Sequence, residues 1–79
     1  MARNEKTGII LIVEDEAIIS IITANAIKKF GYEVLSANSG EKAVELAVAD
    51  SRISLVLMDI NLGDGIDGTE AARQILAVR

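Results

Sequence analysis

The residues best placed for chemistry in this chain are carboxylates that directly follow apolar runs. Asp59 comes after Leu55, Val56, Leu57 and Met58, and Glu14-Asp15-Glu16 come after Ile9, Ile10, Leu11, Ile12 and Val13. Short unbroken apolar runs with β-branched members read as strands buried on both faces. Each acid is then the first residue free of a sheet. In open parallel sheets ligands bind beyond the carboxyl ends of the strands, so carboxylates there are placed for function. A single aspartate at such a point is equally well a turn or helix-cap residue. If the two strands are neighbours, however, Glu14, Asp15 and Asp59 converge. Like charges about 4 Å apart at an effective dielectric near 20 repel by roughly 4 kcal/mol, so the cluster calls for a cation or a proton. The chain has no histidine and no cysteine, which leaves oxygen donors and favours a hard metal. Few protein ligands with retained waters fit Mg²⁺ better than Ca²⁺. The plain alternative is a solvated acidic rim.

Composition narrows the remaining function classes. With 79 residues, 51% hydrophobic and 25% charged, the chain fits one small globular unit without a linker or repeat. Units of this size bury a low fraction of their surface, roughly 60% for about 60 residues, so stability is expected to be marginal. The net charge of -4 and scattered basic residues, with Lys28-Lys29 the only adjacent pair, argue against nucleic acid as a partner. The run Gly8 to Val13 is far short of the ~20 apolar residues of a membrane helix and ends in acids, so neither a membrane span nor a signal peptide is expected. Without His or Cys, Ser-His-Asp catalysis, His-mediated general base chemistry, His-based zinc sites and thiolate chemistry are excluded. A cysteine-free chain is compatible with a cytoplasmic location.

The elements that must position the acids follow from patterning. Residues 1–7 form a polar tail without a pattern, expected to be frayed. After the first strand, Ala17 to Phe30 has helical spacing, with Ile18, Ile19, Ile22, Ala26 and Phe30 on the expected inward face and Ile21 and Ile27 off it. Gly31 is the expected stop. Tyr32 to Ala37 reads as a strand, less apolar and therefore placed at an edge. Ser39 is the expected cap of a second helix, Glu41 suits its dipole, and Ala43, Val44, Ala47 and Val48 supply an inward face. Asp67 and Glu70 have capping-box spacing for a third helix whose inward residues are Ala71, Ala72, Ile75, Leu76 and Val78. The order β-α-β-α-β-α with short connections implies parallel strands and right-handed crossovers. A strand order of 2-1-3 would bring the two acidic strand ends together.

Taken together, Ile10-Leu11-Ile12-Val13-Glu14-Asp15-Glu16, Gly31-Tyr32-Glu33-Val34, Ser39-Gly40, Leu55-Val56-Leu57-Met58-Asp59 and Gly65-Ile66-Asp67-Gly68 resemble the receiver domain of two-component response regulators. The resemblance covers residues 8–79 and implies an α/β, flavodoxin-like parallel sheet, here truncated to three strands in order 2-1-3 with three helices. It implies that Asp59 is the phosphoacceptor, charged from a sensor histidine kinase or a phosphotransfer domain. Asp15 then matches the direct Mg²⁺ ligand, Glu14 the acid acting through water, and Asn61 the residue whose backbone carbonyl completes the protein share of the shell. The logic of phosphoryl transfer agrees, because it is mostly positioning and charge neutralisation.

The chain departs from the family pattern in two ways. Gly63 stands where many receivers have proline, and the family's fourth and fifth strands, with a switch Ser/Thr and a phosphoryl-binding Lys, have no counterpart. A partial receiver that does not signal is therefore expected, the alternative being an inert fragment that associates with itself. The exposed third strand then predicts a homo-oligomer. The resemblance also implies that the first helix faces a kinase, through Ile21 and Ile27. Two rival sites are weaker. Asp59, Asn61, Ile66 and Glu70 fall at EF-hand positions, but Asp64 replaces the required glycine and a strand precedes the loop. A haloacid-dehalogenase-type phosphatase needs an acid where Asn61 stands.

Overall fold

A computed structural model describes residues 8–59 and 65–78, with the Val78 side chain outside the description. The elements run β1 (Ile9–Val13), α1 (Ala17–Lys28), β2 (Glu33–Ala37), α2 (Gly40–Ala49), β3 (Ile53–Met58) and α3 (Gly68–Val78). The three strands form one sheet in the order β2-β1-β3, and both pairings are parallel. Thus the expected 2-1-3 order holds. The expected tail, residues 1–7, lies outside the described residues.

β1 is central because it combines apolar side chains on both faces with a run rich in β-branched residues. All five of its residues are buried. On one face Ile9, Leu11 and Val13 pack with Ala37, Ala43, Ala47, Ile53 and Ile75, so α2 and α3 cover that side. Ile10 and Ile12 point the other way, toward α1. β2 is an edge strand, as its weaker apolarity predicts.

β3 departs from expectation. It reads as a strand buried on both faces, yet Leu55 is 51% and Leu57 40% exposed. Both pair with the α1-facing residues Ile10 and Ile12, whereas α1 packs over β1 and β2. One helix cannot cover three strands, so the β3 end of this face stays open.

α1 is the larger correction. Its inward residues are Ala24, buried, with Ser20, Thr23 and Ile27 half-buried. The expected inward face is the outward one: Ile18, Ile19 and Ile22 are 73%, 45% and 64% exposed, and Ala26 is exposed too. The helix is apolar on nearly every side, so its spacing carries no phase, and smaller side chains win the sheet side because they allow close approach. Phe30 lies beyond the helix, 72% exposed. Gly31, with φ 91°, occupies the left-handed conformation that ends the turn.

In α2, Ser39 Oγ accepts the Lys42 N–H at 3.1 Å, the expected cap. Ala43 and Ala47 are buried and Val44 and Leu46 pack beside them, but Val48 is 60% exposed. In α3, Asp67 Oδ1 accepts the Glu70 N–H at 2.8 Å. Only that half of the capping box forms, because the Glu70 carboxylate turns to Arg73 and Gln74. Ala71 and Ile75 are buried, whereas Ala72 is exposed and Leu76 is 76% exposed.

Candidate functional site: an acidic cluster at the carboxyl edge

Each strand end carries its hydrogen-bond ladder one residue further. The Glu14 N–H donates to the Ala37 carbonyl at 3.0 Å, and the Asp59 N–H donates to the Val13 carbonyl at 3.1 Å. Val13 pairs with Met58, so Glu14 and Asp59 leave the sheet side by side. The order β2-β1-β3 is what makes residues 45 positions apart in the chain adjacent in space. One carboxylate oxygen from each of Glu14, Asp15 and Asp59 lies within 4.8 Å of the others. Glu14 and Asp59 are half-buried and Asp15 is exposed.

Local bonds orient this cluster. Glu14 Oε2 accepts the Glu16 N–H at 3.1 Å, closing the turn into α1, whose first residue follows directly. The site opens between two shallow grooves. One runs along α1 and the end of β3, past Thr23, Leu57 and Met58. The other lies toward α2, past Ser20, Ser36, Asn38 and Lys42. Lys42 pairs with Glu45 at 3.2 Å.

The donor set suits a hard cation. Two ligands of one Mg²⁺ at about 2.1 Å sit no more than about 4.2 Å apart across an octahedron. Glu14, Asp15 and Asp59 could together hold such an ion. Asn61 lies outside the described residues. For the EF-hand arrangement, Glu70 would have to ligate with Asp59. Instead it binds Arg73 through two nitrogens, at 2.6 and 3.0 Å, and Gln74 at 2.9 Å. Those contacts hold its carboxyl down to about 2, the Arg73 hydrogen bond contributing most.

One long-range contact escapes sequence reasoning. Glu41, in the first turn of α2, accepts the Ile66 N–H on its Oε2 at 2.8 Å. Gly65 beside it has φ +88°, and a Cβ there would lie 2.6 Å from the same oxygen. Gly40 is equally tight, since a Cβ would lie 2.6 Å from Ile66 Cγ1 and 3.2 Å from Ala71 Cβ. The sequence signal available was a pair of glycines flanking an acid and an apolar residue, with nothing to join them.

Comparison with known proteins agrees with this geometry. The family model for the response regulator receiver domain matches residues 10–79. The chain belongs to the response regulator receiver domain family. It is 38% identical over 66 residues to probable histidine kinase 3 of Oryza sativa subsp. japonica, covering 84% of this chain and 6% of that protein. It is 39% identical over 71 residues to the transcriptional regulatory protein PdtaR of Mycobacterium tuberculosis, covering 89% of this chain and 34% of that one. The chain therefore spans only a small part of these relatives. Among solved structures, the N-terminal domain of a response regulator/sensory box/GGDEF 3-domain protein from Carboxydothermus hydrogenoformans superposes with a TM-score of 0.86. Its sequence identity is 42%, over 90% of this chain and 57% of that one. A signal receiver domain from Vibrio parahaemolyticus, at 23% identity and TM-score 0.77, shares the fold. No described helix is long and apolar enough to cross a membrane.

Proposed function

We propose that Asp59 accepts a phosphoryl group from a phosphohistidine of a sensor histidine kinase or phosphotransfer domain, with Mg²⁺ held by Asp15, Asp59 and, through water, Glu14. The observation that carries this reading is the convergence of three carboxylates at the carboxyl ends of β1 and β3. An Asp59 carboxylate oxygen attacks phosphorus, an O–P bond forms, and the P–N bond to the imidazole breaks. The departing electron pair stays on the imidazole nitrogen, which takes a proton from solvent. When bound, Mg²⁺ supplies the positive charge that lets an anionic nucleophile meet an anionic donor. The sheet supplies positioning, since the Asp59 backbone is pinned to Val13. The carbonyl of Asn61 is proposed to complete the shell, as the resemblance implies. We place the reaction in the cytoplasm.

The test is intact mass after incubation with a small phosphodonor. One phosphoryl adduct is expected on the protein with Mg²⁺, and none on Asp59→Asn or without the metal. An adduct of equal yield on Asp59→Asn would overturn the assignment.

A second reading is favoured by the exposed apolar residues Leu55, Leu57 and Leu76. On it, these 79 residues relay no signal and associate with one another, β3 pairing with β3 across a two-fold axis. Retained phosphorylation in a stable monomer would refute it.

A further inference from the structure

We infer that the outward face of α1 binds the same face of a second copy of this chain, the two helices running antiparallel across a two-fold axis at Ile22.

α1 carries its larger apolar side chains away from the sheet. Ser20, Thr23, Ala24 and Ile27 face inward, and at 3.6 residues per turn the opposite stripe holds Ile18, Ile22, Asn25, Ala26 and Lys29. Ile18 and Ile22 are 73% and 64% exposed, flanked by Ile19 at 45% and Ile21 at 59%. Single exposed apolar residues are ordinary, but four isoleucines in little more than one turn make a continuous patch, the mark of a contact surface.

Charge identifies what covers the patch. The stripe starts at the acids Glu14, Asp15 and Glu16 and ends at Lys28 and Lys29. None of these five side chains joins an ion pair among the described residues. Acids at the start and bases at the end also suit the helix dipole, which accounts for the charges and leaves the isoleucines unexplained. A stripe with opposite signs at its two ends complements itself only when reversed. Centred on Ile22, Ile18 lies opposite Ala26, four positions either side, where the small side chain leaves room for it. Asp15 lies opposite Lys29, seven positions either side. Two-fold symmetry makes each of these contacts twice. A parallel arrangement would instead set Asp15 against Asp15 and Lys29 against Lys29. Asp15 is one of the three carboxylates gathered at the carboxyl edge, so Lys29 of the second copy adds a cation where like charges crowd. One helix face is smaller than the roughly 800 Å² per partner of a standard interface, so association belongs at hundreds of micromolar rather than at a few.

The experiment is sedimentation equilibrium from about 10 µM to about 1 mM, a range suited to a small interface, on Leu57→Lys so that pairing through β3 is absent. That variant should be monomeric at the low end and dimeric at the high end. Adding Ile22→Lys sets two like charges on the axis and should abolish the dimer, with the urea midpoint unchanged because Ile22 is exposed. Asp15→Lys or Lys29→Asp, each added alone, opposes like charges and should weaken the dimer by about tenfold or more. Mixed in equal amounts, the two restore opposite charges at both ends and should associate as well as their parent. A dimer that survives Ile22→Lys, or a mixture no tighter than the separate variants, overturns the inference. A monomer at every concentration also overturns it and leaves the stripe to a different partner. If Leu57→Lys does not fold, the same substitutions are made in the unaltered chain, where they should lower the average mass at the high end; an unchanged mass there overturns the inference equally.

Discussion

At Asp59 the deciding property is charge rather than shape. Asp59→Asn preserves volume but removes a carboxylate oxygen, the proposed nucleophile, and one unit of negative charge from the cluster with Glu14 and Asp15. Mg²⁺ titration should show binding weakened by at least about tenfold, a usual consequence of losing a charged oxygen ligand. Asp15→Asn should behave similarly. Glu14→Gln should cost less, because Glu14 already accepts the Glu16 N–H and is proposed to act through water. Equal losses for all three would show a diffuse acidic field in place of a coordinated ion.

Among the elements, α3 carries a pH dependence. The Glu70 carboxyl lies near 2, below its ordinary value of 4.5, chiefly through the Arg73 hydrogen bond and then Gln74. A lowered folded value means stability present above about 4.5 and lost as pH falls toward about 2. Because the group is solvent-exposed the slope should be shallow. Thermal unfolding between those pH values should show it in the unaltered chain, and Glu70→Gln should remove it. At the start of α2, Ser39→Ala deprives the Lys42 N–H of its acceptor and should cost about 1 kcal/mol in urea unfolding. On α1 the two isoleucines that fall off the expected inward face differ in burial. Ile27 is half-buried on the sheet side while Ile21 is 59% exposed. Ile27→Gln should therefore destabilise, by about 1 kcal/mol or more. Ile21→Gln should leave the urea midpoint unchanged and serve as the probe of partner docking.

For the molecule as a whole, the central strand β1 supplies the largest fully buried side chains among the described residues, Ile9, Leu11 and Val13. Leu11 is fully buried, and Leu11→Ala should cost about 2–5 kcal/mol. A chain of this length has roughly 4–12 kcal/mol in total, so circular dichroism should find that variant partly or wholly unfolded at room temperature. The open side of β3 is the surface on which the proposed self-association is tested. Leu57, 40% exposed on the open face of β3, is a residue where a charge opposes strand pairing. Light scattering at micromolar concentration should report a dimer for the unaltered chain and a monomer for Leu57→Lys. A monomer in both would show that the β3 edge does not drive association.

What the sequence determined by itself is local. Apolar runs bounded by acids marked β1 and β3, Ser39 and Asp67 marked helix starts, and the alternation of strands and helices implied a parallel sheet. Such features depend on neighbours within a few residues, where hydrogen-bond geometry and side-chain period act directly. The tertiary structure decided three things. It chose the sheet side of α1, because isoleucines at nearly every turn leave no periodic phase and only close packing selects Ser20, Thr23, Ala24 and Ile27. It left Leu55 and Leu57 open, because burial of a strand depends on how many helices cross it and not on its own composition. It also joined Glu41 to Ile66 across 25 positions, a contact fixed by where α2 and α3 meet on the sheet. The acidic cluster stands between these cases: its members could be named from their strand ends, but their convergence required β1 and β3 to be neighbours.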